Sequence, residues 1–168
     1  MKKIAVFLVM VVITILFTGC GGSLEQQKEK AIVRAEQAFT NKLDKNETLQ
    51  AIAFHRPSGL TVKEDKPNNI ILEKGSHPYI LFYNPIVPSS SEELYELEKN
   101  QEGQMIVDKT FSVEDRFGYL LIMDAGDNKY EVTAGVGGVK ATTESTVKQL
   151  ESDAGYLMEM VASAQLSE

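Results

Sequence analysis

Cysteine occurs once in 168 residues and tryptophan not at all. A lone cysteine cannot close an internal disulfide, so no disulfide framework holds this fold together. Histidine is also scarce, with only His55 and His77, too few for the His-rich ligand sets typical of catalytic zinc. Positive charge is in deficit. From residue 20 onward the chain carries 15 Lys and Arg against 24 Asp and Glu, a net charge of −9. Phosphate backbones and anionic headgroups are bound through Lys and Arg, so nucleic acid is not an expected partner. The metalloprotease pattern H-E-x-x-H and the hydrolase pattern G-x-S-x-G are both missing, and with them the usual local signatures of hydrolytic chemistry. No internal repeat and no long Pro- or Ser-rich linker divides the chain, and its length suits one domain.

What is present starts at the N-terminus. Lys2 and Lys3 precede an apolar run over residues 4–17, IAVFLVMVVITILF, interrupted only by Thr14. As a helix this run would be ~21 Å long, short of the ~30 Å hydrocarbon core of a bilayer. A basic start, an apolar stretch of this length and small residues beyond it predict a removable signal peptide over residues 1–19. The single cysteine stands at its end. Phe17-Thr18-Gly19-Cys20 resembles the lipobox of bacterial lipoproteins, an apolar-small-small-Cys pattern, although Phe17 stands where leucine is usual. The resemblance implies cleavage between Gly19 and Cys20 and a diacylglycerol thioether on the Cys20 thiol, with acylation of the Cys20 amine left open. It further implies residence at the extracytoplasmic face of the cell membrane, held there through the lipid. Two acyl chains anchor stably where one does not, at ~0.8 kcal/mol per buried methylene. Residues 20–23 are then a short lipidated linker, and residues 24–168 a single domain.

Within that domain Ser23 is a natural helix N-cap, and Ile32, Ala35, Phe39 and Leu43 fall on one helical stripe. Strand signals follow at Gln50 to His55, Leu60 to Glu64, Ile70 to Lys74 and Tyr79 to Asn84, separated by Gly-, Pro- and Asn-rich breaks. These breaks are too short for crossover helices, so the strands are expected to be antiparallel. SSSEELYELEKN predicts a short helix, with Ser90 and Glu93 as a capping box and Leu94 and Leu97 as its apolar contact. Strand patterns resume, with a hairpin turn expected at Asp124 to Asn128 and either a second tight turn or a bulge at Gly137-Gly138. From Ser145 the spacing of Val147, Leu150, Ala154, Leu157 and Val161 becomes helical, with Gly155 tolerable there only if close packing requires it. The expected fold is α+β: an antiparallel sheet of about six to eight strands, N- and C-terminal helices on one face, and a short helix between two strand-rich halves. This order is remotely similar to PsbP-like domains, and the whole layout of lipobox, helix and YILFYNP resembles small lipoproteins of Gram-positive bacteria.

No residue stands out as catalytic or as a metal ligand, and no cofactor is expected. His55, His77 and Glu64 would form a metal site only if their strands converged. Asp124, Asp127 and Asn128 fit a hairpin turn better than a calcium loop. GVGGVK lacks the Gly-Lys-Ser/Thr ending of a phosphate-binding loop. YILFYN alternates Ile80 and Phe82 against Tyr79, Leu81 and Tyr83, so both faces are apolar or aromatic. Either this is a central strand covered on one side, or Tyr79, Leu81 and Tyr83 form a ligand face. The expected function is a membrane-anchored, non-enzymatic binding module for an envelope protein or other envelope component. The alternatives are a hydrolase of envelope polymers with an acidic site, and a small-molecule or lipid carrier. A carboxylate pair in a cleft would favour the hydrolase, an apolar cavity between the sheet and the last helix the carrier, and an exposed aromatic patch the binding module.

Overall fold

The computed structural model describes residues 22–167. Helix α1 (Leu24–Thr40) is followed by two short strands, β1 (Glu47–Thr48) and β2 (Ile52–Phe54), and by a meander of β3 (Thr61–Lys66), β4 (Asn69–Lys74) and β5 (His77–Tyr83). Helix α2 (Glu93–Lys99) leads into a second meander of β6 (Gln104–Val113), β7 (Arg116–Gly126), β8 (Lys129–Val136) and β9 (Val139–Thr146). Helix α3 (Leu150–Ser163) and β10 (Gln165–Leu166) complete the fold. The main sheet has seven strands in the order β3-β4-β5-β9-β8-β7-β6, and all its pairs are antiparallel. The two meanders meet edge to edge along one seam, where Ile80 to Tyr83 of β5 pair with Thr142 to Val139 of β9. A separate small sheet has the order β1-β2-β10. The chain is thus an α+β domain with its helices at the two ends and in the middle of the strand order.

Local chemistry accounts for the helix and turn positions. Ser23 caps α1 reciprocally with Gln26: its hydroxyl accepts from the Gln26 amide at 3.3 Å while the Gln26 side chain accepts from the Ser23 amide at 3.1 Å. The buried stripe of α1 is centred on Ala31, Ala35, Ala38 and Phe39, one step round from the expected line, with Ile32 only half-buried. Three alanines let α1 approach α3 closely, and α3 is its main neighbour. The two helices are also tied by an ion pair between Arg34 and Glu159. Gly155 makes room for it, since a Cβ there would lie 2.8 Å from Cγ of Arg34. Close packing therefore does require that mid-helix glycine. The Asp124 to Asn128 turn forms the β7–β8 hairpin with Asp127 and Asn128 at φ of 52° and 58°, as a two-residue primed turn demands.

Four expectations are corrected. Strand β2 is shorter than residues 50–55 and belongs to the small sheet, where two-residue partners flank it. Helix α3 starts at Leu150 because Ser145 and Thr146 continue β9, paired with Tyr130 and Lys129. Ser90 makes no capping box: Glu92 is the N-cap of α2, and the Ser91 hydroxyl accepts from the Glu93 amide at 3.2 Å. Nor do Leu94 and Leu97 carry the packing of α2, since Leu97 is exposed. The ring of Tyr95 packs at 5.5 Å from Phe117 and 5.6 Å from Tyr119, and Glu98 is buried in an ion pair with Lys140. These contacts set the rotation of the helix and turn Leu97 outward.

The core lies between one face of the main sheet and the pair α1 and α3. Leu81, Leu120, Ile122 and Val132 of the sheet and Phe39, Leu157, Met158 and Val161 of the helices are essentially inaccessible there. Helix α2 covers part of the opposite face. Among the described residues no helix is long and apolar enough to cross a membrane.

Candidate functional site

Separate parts of the chain come together at one end of the sheet. The segment leaving α1 supplies Lys42, Leu43 and Lys45, the start of β7 supplies Arg116, and the β8–β9 turn supplies Val136, Gly138 and Val139. The loop after β5 contributes Val87 and Ser89, and the end of α3 with β10 contributes Val161 to Leu166. Together they enclose a cleft of about 570 Å³, within the ~300–1,000 Å³ range of small-molecule sites.

Each wall is held by identifiable contacts. The β8–β9 turn is pressed against the loop after β5. Gly137 has φ of 52°, and a Cβ on it would sit 2.8 Å from the Ser89 carbonyl carbon and closer still to the Pro88 oxygen. Only glycine combines that backbone with that approach. Backbone bonds brace the loop further: the Asn84 amide donates to the Gly138 carbonyl at 2.8 Å and the Phe117 amide to the Ser89 carbonyl at 2.9 Å. The Arg116 guanidinium donates to the Phe39 carbonyl at 3.2 Å and lies 4.8 Å from the centre of the Phe39 ring. Lys45 donates to the Gln165 side chain at 2.7 Å. β10 is fixed in turn by its register with β2, Gln165 opposite Ala53.

The electrostatics of the cleft are unlike those of the rest of the molecule. Of 17 Lys and Arg, Lys2 and Lys3 precede the described residues, which leaves 15. Nine of these make ion pairs. Among the described residues Lys42, Lys45, Lys74, Lys109, Arg116 and Lys148 have no carboxylate partner. Three of those six line this cleft, and no Asp or Glu does. Asp44 and Asp115 neighbour these cations in sequence but form no ion pair with them and line no part of the cleft. A competing explanation is that the cations complement the C-termini of α1 and α3, which end here without a basic residue in their last turns. Each helix end presents only about half a negative charge, so two ends offset about one of the three cations. An uncompensated positive field remains above a floor of Val136, Val139 and Val161, which are themselves nearly inaccessible.

The residues singled out in the sequence lie elsewhere. Gly19 and Cys20 fall outside the described residues. Tyr79, Leu81 and Tyr83 point into the core at 1%, 0% and 4% exposure, so they do not form an accessible ligand face. Packing of α3 on that side of β5 is the reason, and the accessible side carries Ile80 instead. His55 and His77 do not converge. The Nδ1 of His55 lies 2.9 Å from the Asp44 carbonyl, and Nε2 of His77 lies 2.9 Å from the Thr143 hydroxyl, near opposite ends of α3. Glu64 pairs with Lys66. Among the described residues no group of three His, Cys, Asp or Glu is placed to hold a metal ion. GVGGVK is the β8–β9 hairpin, and it contributes backbone shape to the cleft.

One buried polar cluster was not anticipated. Asp153, in the first turn of α3, accepts from the Tyr79 hydroxyl at 2.8 Å and from the Ser145 hydroxyl at 2.7 Å. Burial and the adjacent Asp153 carboxylate hold the Tyr79 phenol well above its ordinary range. Each carboxylate oxygen has a donor and the cluster is closed to solvent, so it serves to dock α3 on β5 and β9. The cationic cleft was equally hidden, because its three charges are scattered over residues 42, 45 and 116 in no motif.

No family model and no curated protein matches the chain. Among solved structures it is similar to cyanobacterial PsbP (CyanoP) from Synechocystis sp. PCC 6803. The identity is 11%, the match covers 69% of this chain and 86% of that one, and the TM-score is 0.41. That likeness agrees with the remote PsbP-like resemblance of the element order and carries no functional argument.

Proposed function

We propose that the chain is a lipid-anchored, extracytoplasmic binding protein, held at the membrane through Cys20, whose working surface is the cationic cleft beside the end of α3. One observation carries this reading: in a strongly acidic molecule, three cations without acidic partners gather on one cleft that no carboxylate enters. A neutral or cationic ligand gains nothing from that arrangement, whereas an anionic envelope component is attracted from a distance and paired on arrival. A hydrolase acting through two carboxylates would want them flanking its cleft, and the lining residues offer Lys, Arg, Ser and Gln instead. The Cys20 lipid leaves the domain free of any need for a membrane-binding surface of its own.

The test has two arms in intact cells. Radiolabelled palmitate is expected to enter the wild-type protein, and Cys20→Ala should abolish labelling and leave the precursor uncleaved. A photoreactive p-benzoylphenylalanine in place of Leu43 should form an adduct that Lys42→Gln/Lys45→Gln removes. Label retained in Cys20→Ala would overturn the anchoring, and an adduct indifferent to the two lysines would overturn the cleft as the binding surface.

A further inference from the structure

The cleft pairs two chemistries that single-purpose anion sites do not combine. Its cations come from the segment after α1 and from β7, while its floor is made of the side chains of Val136, Val139 and Val161, with Leu166 at the β10 side. An exposed ion pair is worth up to about fivefold in affinity, so a bare inorganic anion is held weakly here and leaves the accessible apolar lining, Leu43, Val87 and Leu166, wet. Each methylene laid on that lining tightens binding by about fourfold. A ligand that uses the whole lining therefore carries one negative head and a short hydrocarbon body.

We infer that the cleft is a site for a small anionic amphiphile, with a carboxylate or phosphate head at Lys42, Lys45 and Arg116 and an apolar tail on the valine floor. This rests on the reading of the cleft as an anion site and names the class of ligand it takes. The volume of about 570 Å³ leaves ample room for such a molecule. Arg116 is anchored from behind by the Phe39 carbonyl and ring, which presets one head contact and leaves most guanidinium N–H groups for an anion. Lys45 is held by Gln165 through a neutral amide oxygen, a partner that an anionic head readily outcompetes.

The test uses the full chain with ¹³C-methyl valine in phosphatidylcholine nanodiscs, with empty discs correcting for partition of the probes. Octanoate is expected to shift the Val136, Val139 and Val161 methyls. Hexanoate should bind about sixteenfold more weakly than octanoate for its two missing methylenes. Lys42→Gln/Lys45→Gln, both surface changes, should weaken octanoate several-fold, up to about twenty-five-fold, while uncharged octanol and inorganic phosphate should each bind far more weakly. Shifts at the same methyls from phosphatidylglycerol discs without added probe would support the inference with the bilayer as the source of the amphiphile. Inorganic phosphate binding as tightly as octanoate would overturn the amphiphile and leave the anion site standing. Octanol matching octanoate, or no anion shifting these methyls, would overturn both.

Discussion

At the scale of single residues the most consequential side chain is Asp153. A carboxylate at 1% exposure is tolerated only because the hydroxyls of Tyr79 and Ser145 each donate to one of its oxygens. Tyr79→Phe removes one donor and leaves a buried oxygen unmatched, so it should cost about 1–3 kcal/mol at pH 7, read from urea unfolding. The same tyrosine makes a pH prediction. Its phenol, like that of buried Tyr119, is held above the ordinary value of 10.0 in the folded chain. Above about pH 10 the unfolded chain releases these protons and the folded chain keeps them, so the unfolded state binds fewer protons and stability falls as pH rises, by about 1.4 kcal/mol per pH unit for each phenol. Tyr79→Phe should therefore make the fall in unfolding free energy between pH 10 and 11 shallower, by up to about 1.4 kcal/mol per pH unit. An unchanged slope would remove Tyr79 from the alkaline transition.

At the scale of elements, glycine does two different jobs in the turns, and a pair of substitutions separates them. Gly75 and Gly137 have φ of 66° and 52°, but a Cβ on Gly75 meets nothing within 4 Å while one on Gly137 runs into the backbone of Pro88 and Ser89. Gly75→Ala should cost only the left-handed strain, about 1–2 kcal/mol. Gly137→Ala adds overpacking and should cost about 2–4 kcal/mol, with the loop after β5 displaced from the cleft. Equal losses in thermal unfolding would mean that the turn and loop yield easily. Both turns were readable in the sequence, because a two-residue turn is decided by the residues in it. Ser23 as N-cap and the turn from Asp124 to Asn128 were legible for the same reason. The facing of β5 was not. Tyr79, Leu81 and Tyr83 alternate with Ile80 and Phe82, so polarity could not say which side is buried, and only the placement of α3 decides it. β1 and β10, at two residues each, are too short to carry any periodicity. Lys42, Lys45 and Arg116 look like ordinary surface charges until the fold gathers them on one cleft that no carboxylate lines.

At the scale of the whole molecule, the sheet is two antiparallel meanders joined by a single seam, β5 against β9. Helix α3 lies across it, in contact with β5, β7, β8 and β9. That bridging predicts one cooperative unit. The amides of Leu81 and Ala141, paired across the seam, should belong to the slowest hydrogen-exchange set and report the global unfolding free energy. If the β3–β5 amides exchanged as a faster group than those of β7–β9, the halves would be independent units. The edge strand β3 presents Thr61, Lys63, Glu64, Asp65 and Lys66 exposed, charges that blunt edge-to-edge pairing between copies.

The cleft draws its walls from residues as far apart as Lys42 and Leu166, including the loop after β5, the second meander, the last turn of α3 and the small sheet. No sub-part of the chain possesses it, so an unfolded or half-assembled molecule has nothing for an occupant to bind. By mass action, whatever fills the cleft must then raise the unfolding free energy of the entire domain, by about 2.7 kcal/mol at a hundredfold excess over its Kd. Occupancy is accordingly visible as a shift in melting temperature, without any assay of activity, and the molecule is most durable while it is loaded.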